Sequence, residues 1–376
     1  MKRIVFLIFI SLYILAGCSG KRSSDTNKDD SSGTYTVEYA KGFDIKKYDG
    51  YTLVTVNDPW DSARVLQKYV LVDKGKELPV NLPAGVLIRT PLKKVAVYST
   101  IHCTVLNELG ALDIVKGVCE PGYVDIEYIR EGIKNGTIVD LGLASSPNIE
   151  EIIMINPDAV MATPIQGFTY GSIEKTKIPM IETPDYMEST PLGRAEWIRF
   201  YSVFLGKEQL ADSLFNETVL KYNAVKEAVA GVSDRPTVFT DTKYGNVWYM
   251  PGGKSYMANM LKDAGAAYIW GDDESTGSQA LAFETVLDRA GESRLWLIKY
   301  NQPADMTYNQ LEMEFKPYSY FNAFKERNIY GCNSGKVTYY EDLPIHPDYI
   351  LQELAYIFHP GLFPGYIPRY YHKLSE

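Results

Sequence analysis

The spacing of apolar and polar positions changes character several times along the chain. Lys2 and Arg3 precede an apolar run, Ile4 to Ala16, of 13 residues; a helix needs ~20 such residues to cross a bilayer, so the run reads as a signal peptide rather than a span. Residues 19–34 (SGKRSSDTNKDDSSGT) carry no large apolar side chain, a composition that does not repay its ordering entropy and predicts a flexible stalk. Over 35–90, VEYAKGFDIKKYDGYTLVTVNDPW and QKYVLVDKGKEL alternate apolar and polar positions and are rich in Tyr, Val and Thr. That pattern predicts a few antiparallel strands joined by polar turns, forming a β-rich extension packed on the first domain.

From Leu92 short strands alternate with helices. KKVAVYS reads as a buried strand, and IHCTVLNELGA as a helix whose Val105, Leu106 and Leu109 share a face and which stops at Gly110. DIVKGVCE is the next strand, IEEIIMI a helix and DAVMAT a strand; after KIPMIETP a helical stretch runs through RAEWIRFYSVFLG. The alternation implies a parallel sheet with helices on its faces, and ligands meet such sheets at the carboxyl ends of the strands. In 207–230, Leu210, Leu214, Leu220, Val225 and Val229 fall at near-helical spacing with no proline or internal glycine. That predicts a helix of about 36 Å, long enough to join two domains.

Beyond this helix the order repeats. PTVFTDT is a strand, YMANMLKDAGA and AFETVLDRAG are helices and RLWLIKY a strand. VLNELGA thus matches MLKDAGA, while IEEII with DAVMAT matches FETVL with RLWLIKY. The chain reads as two copies of one α/β unit joined by a rigid helix. The predicted fold class is α/β: two Rossmann-like lobes with parallel sheets, 91–206 and 231–376, a single backbone helix between them, and the β-rich extension. The repeat aligns Glu150 with Glu284, each following one apolar residue at a helix start. Asn148 is placed to cap the first of these helices, with Glu151 at the capping-box position, and both glutamates favour the positive end of the dipole by roughly 0.3–1 kcal/mol apiece. Capping accounts for Glu151; it does not account for a glutamate at the matching spot of the other copy.

Charge and cysteine content narrow the partners and the compartment. Leu15-Ala16-Gly17-Cys18 resembles a lipobox, which makes 1–17 a signal peptide, Cys18 a lipidated mature N-terminus and 18–34 a lipidated stalk; the protein is then exported and anchored to a bacterial membrane, periplasmic or on the outer face of the cytoplasmic membrane. Loss of Lys2 and Arg3 moves the formal charge from −9 to −9 − 2 = −11, and no basic run is left to follow a nucleic-acid backbone. Cys103, Cys119 and Cys332 remain, an odd number in a compartment that permits disulfides. Cys103 and Cys119 pair only if helix and strand bring them together.

KKVAVYSTIHCTVLNELGALDIVKGV, NIEEIIMINPDAVMAT, the linker helix, AFETVL and DLPIHPDYILQELAYIFHPGLFP together span 93–364. In this order they resemble the class III periplasmic substrate-binding proteins, which capture ferric siderophores, haem or cobalamin for ABC importers. The resemblance implies a two-lobed clamp with little hinge motion and ligand held between the lobes. It also implies one glutamate per lobe docking on arginines of the permease, here Glu150 and Glu284. Residues 35–90 fall outside the common pattern.

The candidate ligand contacts are the residues just past each predicted strand: Tyr98, Ser99 and His102, then Tyr123, then Gln166 and Tyr170. The second lobe offers Trp248 and Tyr249, with Tyr300 and Asn301. Aromatic residues dominate the set in a chain with 29 tyrosines, and such rings suit a broad, amphipathic chelate; core or surface packing is the plainer reading of each taken singly. Of four histidines, His102 falls where a helix opens onto the cleft, a possible axial haem ligand with Tyr249 opposite, against a plainer role in packing at the helix start. His346, His359 and His372 read as structural. PGGKS at 251–255 lacks the phosphate-loop spacing, because Trp248 stands where a glycine is required; its glycines suit a close backbone approach, and Lys254 offers a charge to an anionic ligand.

These readings favour a monomeric ligand-binding lipoprotein with no catalytic cofactor. Its cargo is an iron chelate, siderophore or haem, with a corrinoid as the alternative. Paired α/β lobes also serve enzymes, but the chain contains no G-x-S-x-G elbow, no G-x-G-x-x-G after a strand and no His/carboxylate cluster of the metallohydrolase type. Capture of free Zn²⁺ or Mn²⁺ needs several cleft histidines, and only His102 is placed there.

Overall fold

The computed structural model describes residues 33–376; the expected signal peptide and Cys18 lie outside the described residues. The stalk reading ran two residues too far, because Gly33 already pairs with Lys47. The extension is one five-stranded sheet, β1 (Gly33–Tyr35), β2 (Phe43–Tyr48), β3 (Tyr51–Asn57), β4 (Val65–Asp73) and β5 (Val86–Thr90), in that order. Its first four strands are antiparallel as expected. The fifth is not: residues 74–85 carry the chain back across the sheet, so β5 runs parallel to β4, a crossover that needs about a dozen residues.

The first lobe contains β6 (Val95–Val97), α1 (Thr100–Glu108), β7 (Val115–Val118), α2 (Glu127–Asn135), β8 (Val139–Asp140) and a short ribbon of β9 (Gly142–Leu143) and β10 (Ser146–Pro147). It continues through α3 (Ile149–Ile155), β11 (Ala159–Ala162), β12 (Met180–Glu182), α4 (Pro191–Ala195) and α5 (Trp197–Leu205). Its parallel sheet has the order β12-β11-β6-β7-β8.

All nine residues of α5 are buried, and a helix apolar on every side has to be covered on every side. The lobe's sheet and helices cover part of it, and the extension covers the rest: Phe43 sits edge-on to Trp197 at 4.9 Å and to Phe200 at 5.6 Å, and Tyr69 edge-on to Phe204 at 5.6 Å. Two buried carboxylates hold the joint. Glu196 accepts the backbone N–H groups of Glu38, Tyr39 and Ala40 at 2.9, 2.6 and 2.8 Å. Glu188 accepts those of Lys41 and Gly42 at 2.9 and 2.8 Å, and the Trp197 indole N–H at 3.1 Å. Arg199 ties Glu196 (2.7 Å) to Asp212 (2.9 Å) on the next helix.

That helix, α6 (Glu208–Ala228), has 21 residues, about 31 Å at 1.5 Å per residue. It packs on α5 of the first lobe and on the helix Pro347–Phe358 of the second. The second lobe begins with β13 (Thr237–Thr240), β14 (Lys243–Tyr244), β15 (Val247–Pro251), α7 (Tyr256–Asp263), β16 (Ala267–Tyr268) and β17 (Ser278–Leu281). It continues with α8 (Phe283–Ala290), β18 (Leu295–Tyr300), α9 (Tyr308–Glu314), α10 (Asn322–Lys325), β19 (Ile329–Asn333), α11 (Tyr339–Asp342), α12 (Pro347–Phe358) and β20 (Tyr371–Lys373). Its main sheet runs β16-β13-β18-β19-β20, parallel except for the last strand.

Superposing β6 on β13, β7 on β16, β11 on β18 and β12 on β19 reproduces the same strand order in both lobes, so the internal repeat is a repeat of topology. Among the described residues no helix is long and apolar enough to cross a membrane.

Candidate functional site

A cavity of about 820 Å³ opens between the lobes. One wall is Thr100 at the start of α1, Pro121 to Asp125 after β7, and Arg130 and Ile133 of α2; the other is Asn301 after β18, Ser334 to Thr338 after β19, and Tyr340 and Glu341 of α11. Every segment except the α2 pair follows the carboxyl end of a parallel strand or opens the helix next in line, where side chains leave the sheet and have no neighbouring strand to pair with.

The lining is mixed: Val124, Ile133 and Val337 alternate with hydroxyl and charged side chains, and two exposed tyrosines join them. Tyr123 and Tyr340 are 69% and 50% exposed. Arg130 pairs with Asp125, and Lys336 with Asp305 at 3.1 Å. Beneath Tyr340, Lys299 Nζ lies 2.5 Å from Asp241 Oδ1. Asp241 leaves β13 in the left-handed region (φ 64°), which its short polar side chain tolerates. Burial works against the Lys299 ammonium, but the Asp241 carboxylate outweighs it and the lysine pKa is raised. Glu341 differs: burial raises its pKa, and the charges of Asp342 and of Asp125 across the cavity raise it further.

The sequence candidates divide sharply. Tyr123 lines the cavity, as does Asn301. Ser99 is the N-cap of α1 without a side-chain cap bond, next to lining residue Thr100. His102 is a correction. Two residues beyond Thr100 on a helix is about 200° around the axis, so His102 faces inward, fully buried, with Nδ1 2.9 Å from Tyr201 Oη. Burial pushes its pKa down to about 3. It packs in the core and does not present a haem ligand.

Trp248 is also core. VWYMP is a strand, β15, and alternation turns Trp248 inward among Phe239, Trp296 and Phe321, with its N–H donated to the Thr240 carbonyl at 2.9 Å. Tyr249 consequently points outward, exposed but not among the residues lining the cavity. Tyr98 and Tyr170 meet edge-on at 6.4 Å on the opposite face of the first sheet from α1, where Tyr170 donates to Glu182 at 3.2 Å. Gln166 lies exposed in the loop after β11. Tyr300 accepts the Met306 N–H at 3.0 Å and borders a separate crevice near β20.

Cys103 and Cys119 are free buried thiols in different core clusters, on opposite faces of the sheet, so they do not pair; burial pushes both up to about 12. Gly252 and Gly253 press their backbone on the 270–277 loop, where a Cβ at either would overlap Ser275 or Asp273. Lys254 pairs with Glu274. The reading of 251–255 as a close approach holds, with a protein loop in place of a ligand.

The sequence candidates omit every lining residue except Tyr123 and Asn301, among them Thr100, Asp125, Arg130, Ser334 to Thr338, Tyr340 and Glu341. Their signal was present: ERNIYGCN ends a strand and NSGKVTYYED follows it in the same way that GYVD follows DIVKGVCE.

Glu150 and Glu284 are each the second residue of their helix, both exposed, and neither has a salt-bridge partner among the described residues. Asn148 Oδ1 accepts the Glu151 N–H at 3.2 Å, the capping bond expected.

Comparison with known proteins agrees with this geometry. A family model described as periplasmic binding protein matches residues 95–334. An uncharacterized lipoprotein of Methanocaldococcus jannaschii is 25% identical over 388 residues, covering 94% of this chain and 91% of its own. Among solved structures, a molybdate-binding protein of Haemophilus influenzae has a TM-score of 0.58 at 16% identity, over 74% of this chain and 90% of that one. A haem-binding protein of Roseiflexus has a TM-score of 0.55 at 18% identity, over 72% and 99%. A possible iron-binding protein of Staphylococcus epidermidis has 0.56 at 16%, over 71% and 99%. At these identities the structural likenesses speak for the fold alone.

Proposed function

The chain belongs to the periplasmic binding protein family, and we propose that it is the substrate-binding lipoprotein of an ABC importer, capturing a ferric siderophore between its lobes and delivering it to the membrane permease. The observation that carries this reading is the cavity of about 820 Å³ walled by strand ends of both lobes, within the size range of small-molecule sites. Its lining includes Thr100, Asn301, Ser334, Thr338 and two tyrosines, hydrogen-bonding groups that suit a siderophore, whereas His102, the one histidine expected to ligate a haem iron, is turned into the core. Cys18 carries the lipid anchor. Glu150 and Glu284 dock on the permease, their exposed and unpaired carboxylates supporting that role.

The protein from residue 19 onward, titrated with ferric siderophores, haem and cyanocobalamin while intrinsic fluorescence and the visible spectrum are followed, tests this. Saturable binding of a ferric siderophore at micromolar or lower concentration is expected. Haem or the corrinoid as the tight ligand reassigns the cargo, and no binding by any chelate to folded protein overturns the proposal.

A further inference from the structure

We propose that Glu341, facing Asp125 across the cavity, makes the cleft selective for a positively charged chelate. This rests on the reading that the interlobe cavity is the ligand site. Four ionisable charged side chains line that cavity: Asp125, Arg130, Lys336 and Glu341. Arg130 and Asp125 neutralise one another, and Lys336 is held by Asp305. Glu341 is left without a cationic partner among the described residues, and the charges closest to it, Asp342 on its own helix and Asp125 on the other lobe, have the same sign.

A partly buried carboxylate facing like charges is unfavourable in the empty protein. The direct remedy is a cation between the two walls. Such a group on the ligand relieves the repulsion and gives Glu341 the counter-charge that it lacks. The exposed rings of Tyr123 and Tyr340 flank the same space, and aromatic faces attract cations further. Thr100, Ser334 and Thr338 supply hydroxyls for the neutral part of the chelate. An anionic chelate meets the opposite situation: both cavity cations already have counter-ions, and Lys299, at the end of β18, is committed to Asp241. Glu341 is therefore a specificity-determining residue, acting through charge.

A matched pair of probes isolates that charge. Ferrioxamine B is a ferric trihydroxamate with a protonated terminal amine, and its N-acetyl derivative is the same chelate without the charge. Ferrichrome, which is neutral, and ferric enterobactin, which is strongly anionic, complete the panel, with hydrated Fe³⁺ as citrate-buffered control. Isothermal titration of the full mature chain is expected to show at least tenfold tighter binding of the amine than of the acetylated form. Glu341→Gln shrinks that ratio towards one, and Glu341→Asp retains most of it; thermal melting verifies that both variants fold. Equal affinity for the matched pair, a preference for ferrichrome, enterobactin or the metal alone, or a ratio undiminished in Glu341→Gln overturns the charge selectivity while leaving the clamp reading in place. Absence of binding by every chelate overturns the clamp reading itself, and this inference with it.

Discussion

Replacing Glu196 by alanine should loosen the N-terminal extension from the first lobe. The side chain is fully buried and accepts three consecutive backbone N–H groups, from Glu38, Tyr39 and Ala40, at 2.6–2.9 Å, together with the Arg199 guanidinium at 2.7 Å. A hydrogen bond to a charged group contributes about 1.5–3 kcal/mol, but the four bonds share one carboxylate and do not add. The better guide is the loss of one partner from a buried ion pair, about 3–5 kcal/mol, since the three N–H groups would be left unsatisfied while Arg199 would keep only Asp212 and the Thr36 carbonyl. Against a total stability of about 5–15 kcal/mol for a folded domain, that is enough for the extension to detach before the lobes unfold. Urea unfolding of wild type and Glu196→Ala, followed by fluorescence and by limited proteolysis around residues 38–42, measures both effects. Glu196→Gln, which keeps one acceptor oxygen but points an amide at donors, should fall between the two. A loss below about 1 kcal/mol with the extension still protease-resistant would show that the α5 contacts of Phe43 and Tyr69, rather than the carboxylate, hold the sheet; contacts of that kind contribute roughly 1.5–3 kcal/mol each.

Other outcomes follow from the same geometry. Reversing Glu150 and Glu284 together to arginine should weaken binding to the cognate permease at least tenfold, read by co-purification, while chelate affinity is unchanged; undiminished permease binding removes the docking assignment. His102 is buried and neutral with its pKa lowered to about 3. The stability it provides is thus present above its unfolded pKa of ~6.5 and is lost as pH falls from there towards 3. This amounts to about 3 kcal/mol by pH 4, and a His102→Gln protein should lack that component in urea midpoints measured at pH 7 and pH 4.5. Gly253→Ala drives a Cβ into the Trp270 and Asp273 carbonyl oxygens and should cost more than about 2 kcal/mol, with ligand affinity in the surviving folded fraction unchanged; a large loss of affinity at normal stability would instead make 251–255 a ligand loop.

Local pattern was enough for the main strands and helices of the two lobes, because those elements announce themselves within ten or so residues through period and stop signals. The repeat of VLNELGA in MLKDAGA and the alignment of Glu150 with Glu284 exist in the one-dimensional text, and the same strand order in both sheets is their consequence. The β-rich character of 35–90 was equally legible from its alternation.

What the chain alone did not disclose depends on which way a side chain turns once its element is packed. His102 and Thr100 differ by two positions, and only the seating of α1 on α5 decides that the threonine lines the cavity and the histidine meets Tyr201. VWYMP preceding a Gly-Gly turn reads as a loop past a strand until its pairing with β17 makes it a strand itself and buries Trp248. Glu341 is one acidic residue among 47 until the lobes fold and set it opposite Asp125. Periodicity along the chain specifies which residues lie on a common face. The pairing of faces from residues 100, 125 and 341, far apart in sequence, is settled by long-range packing, and the composition of the cleft is therefore a property of the tertiary structure.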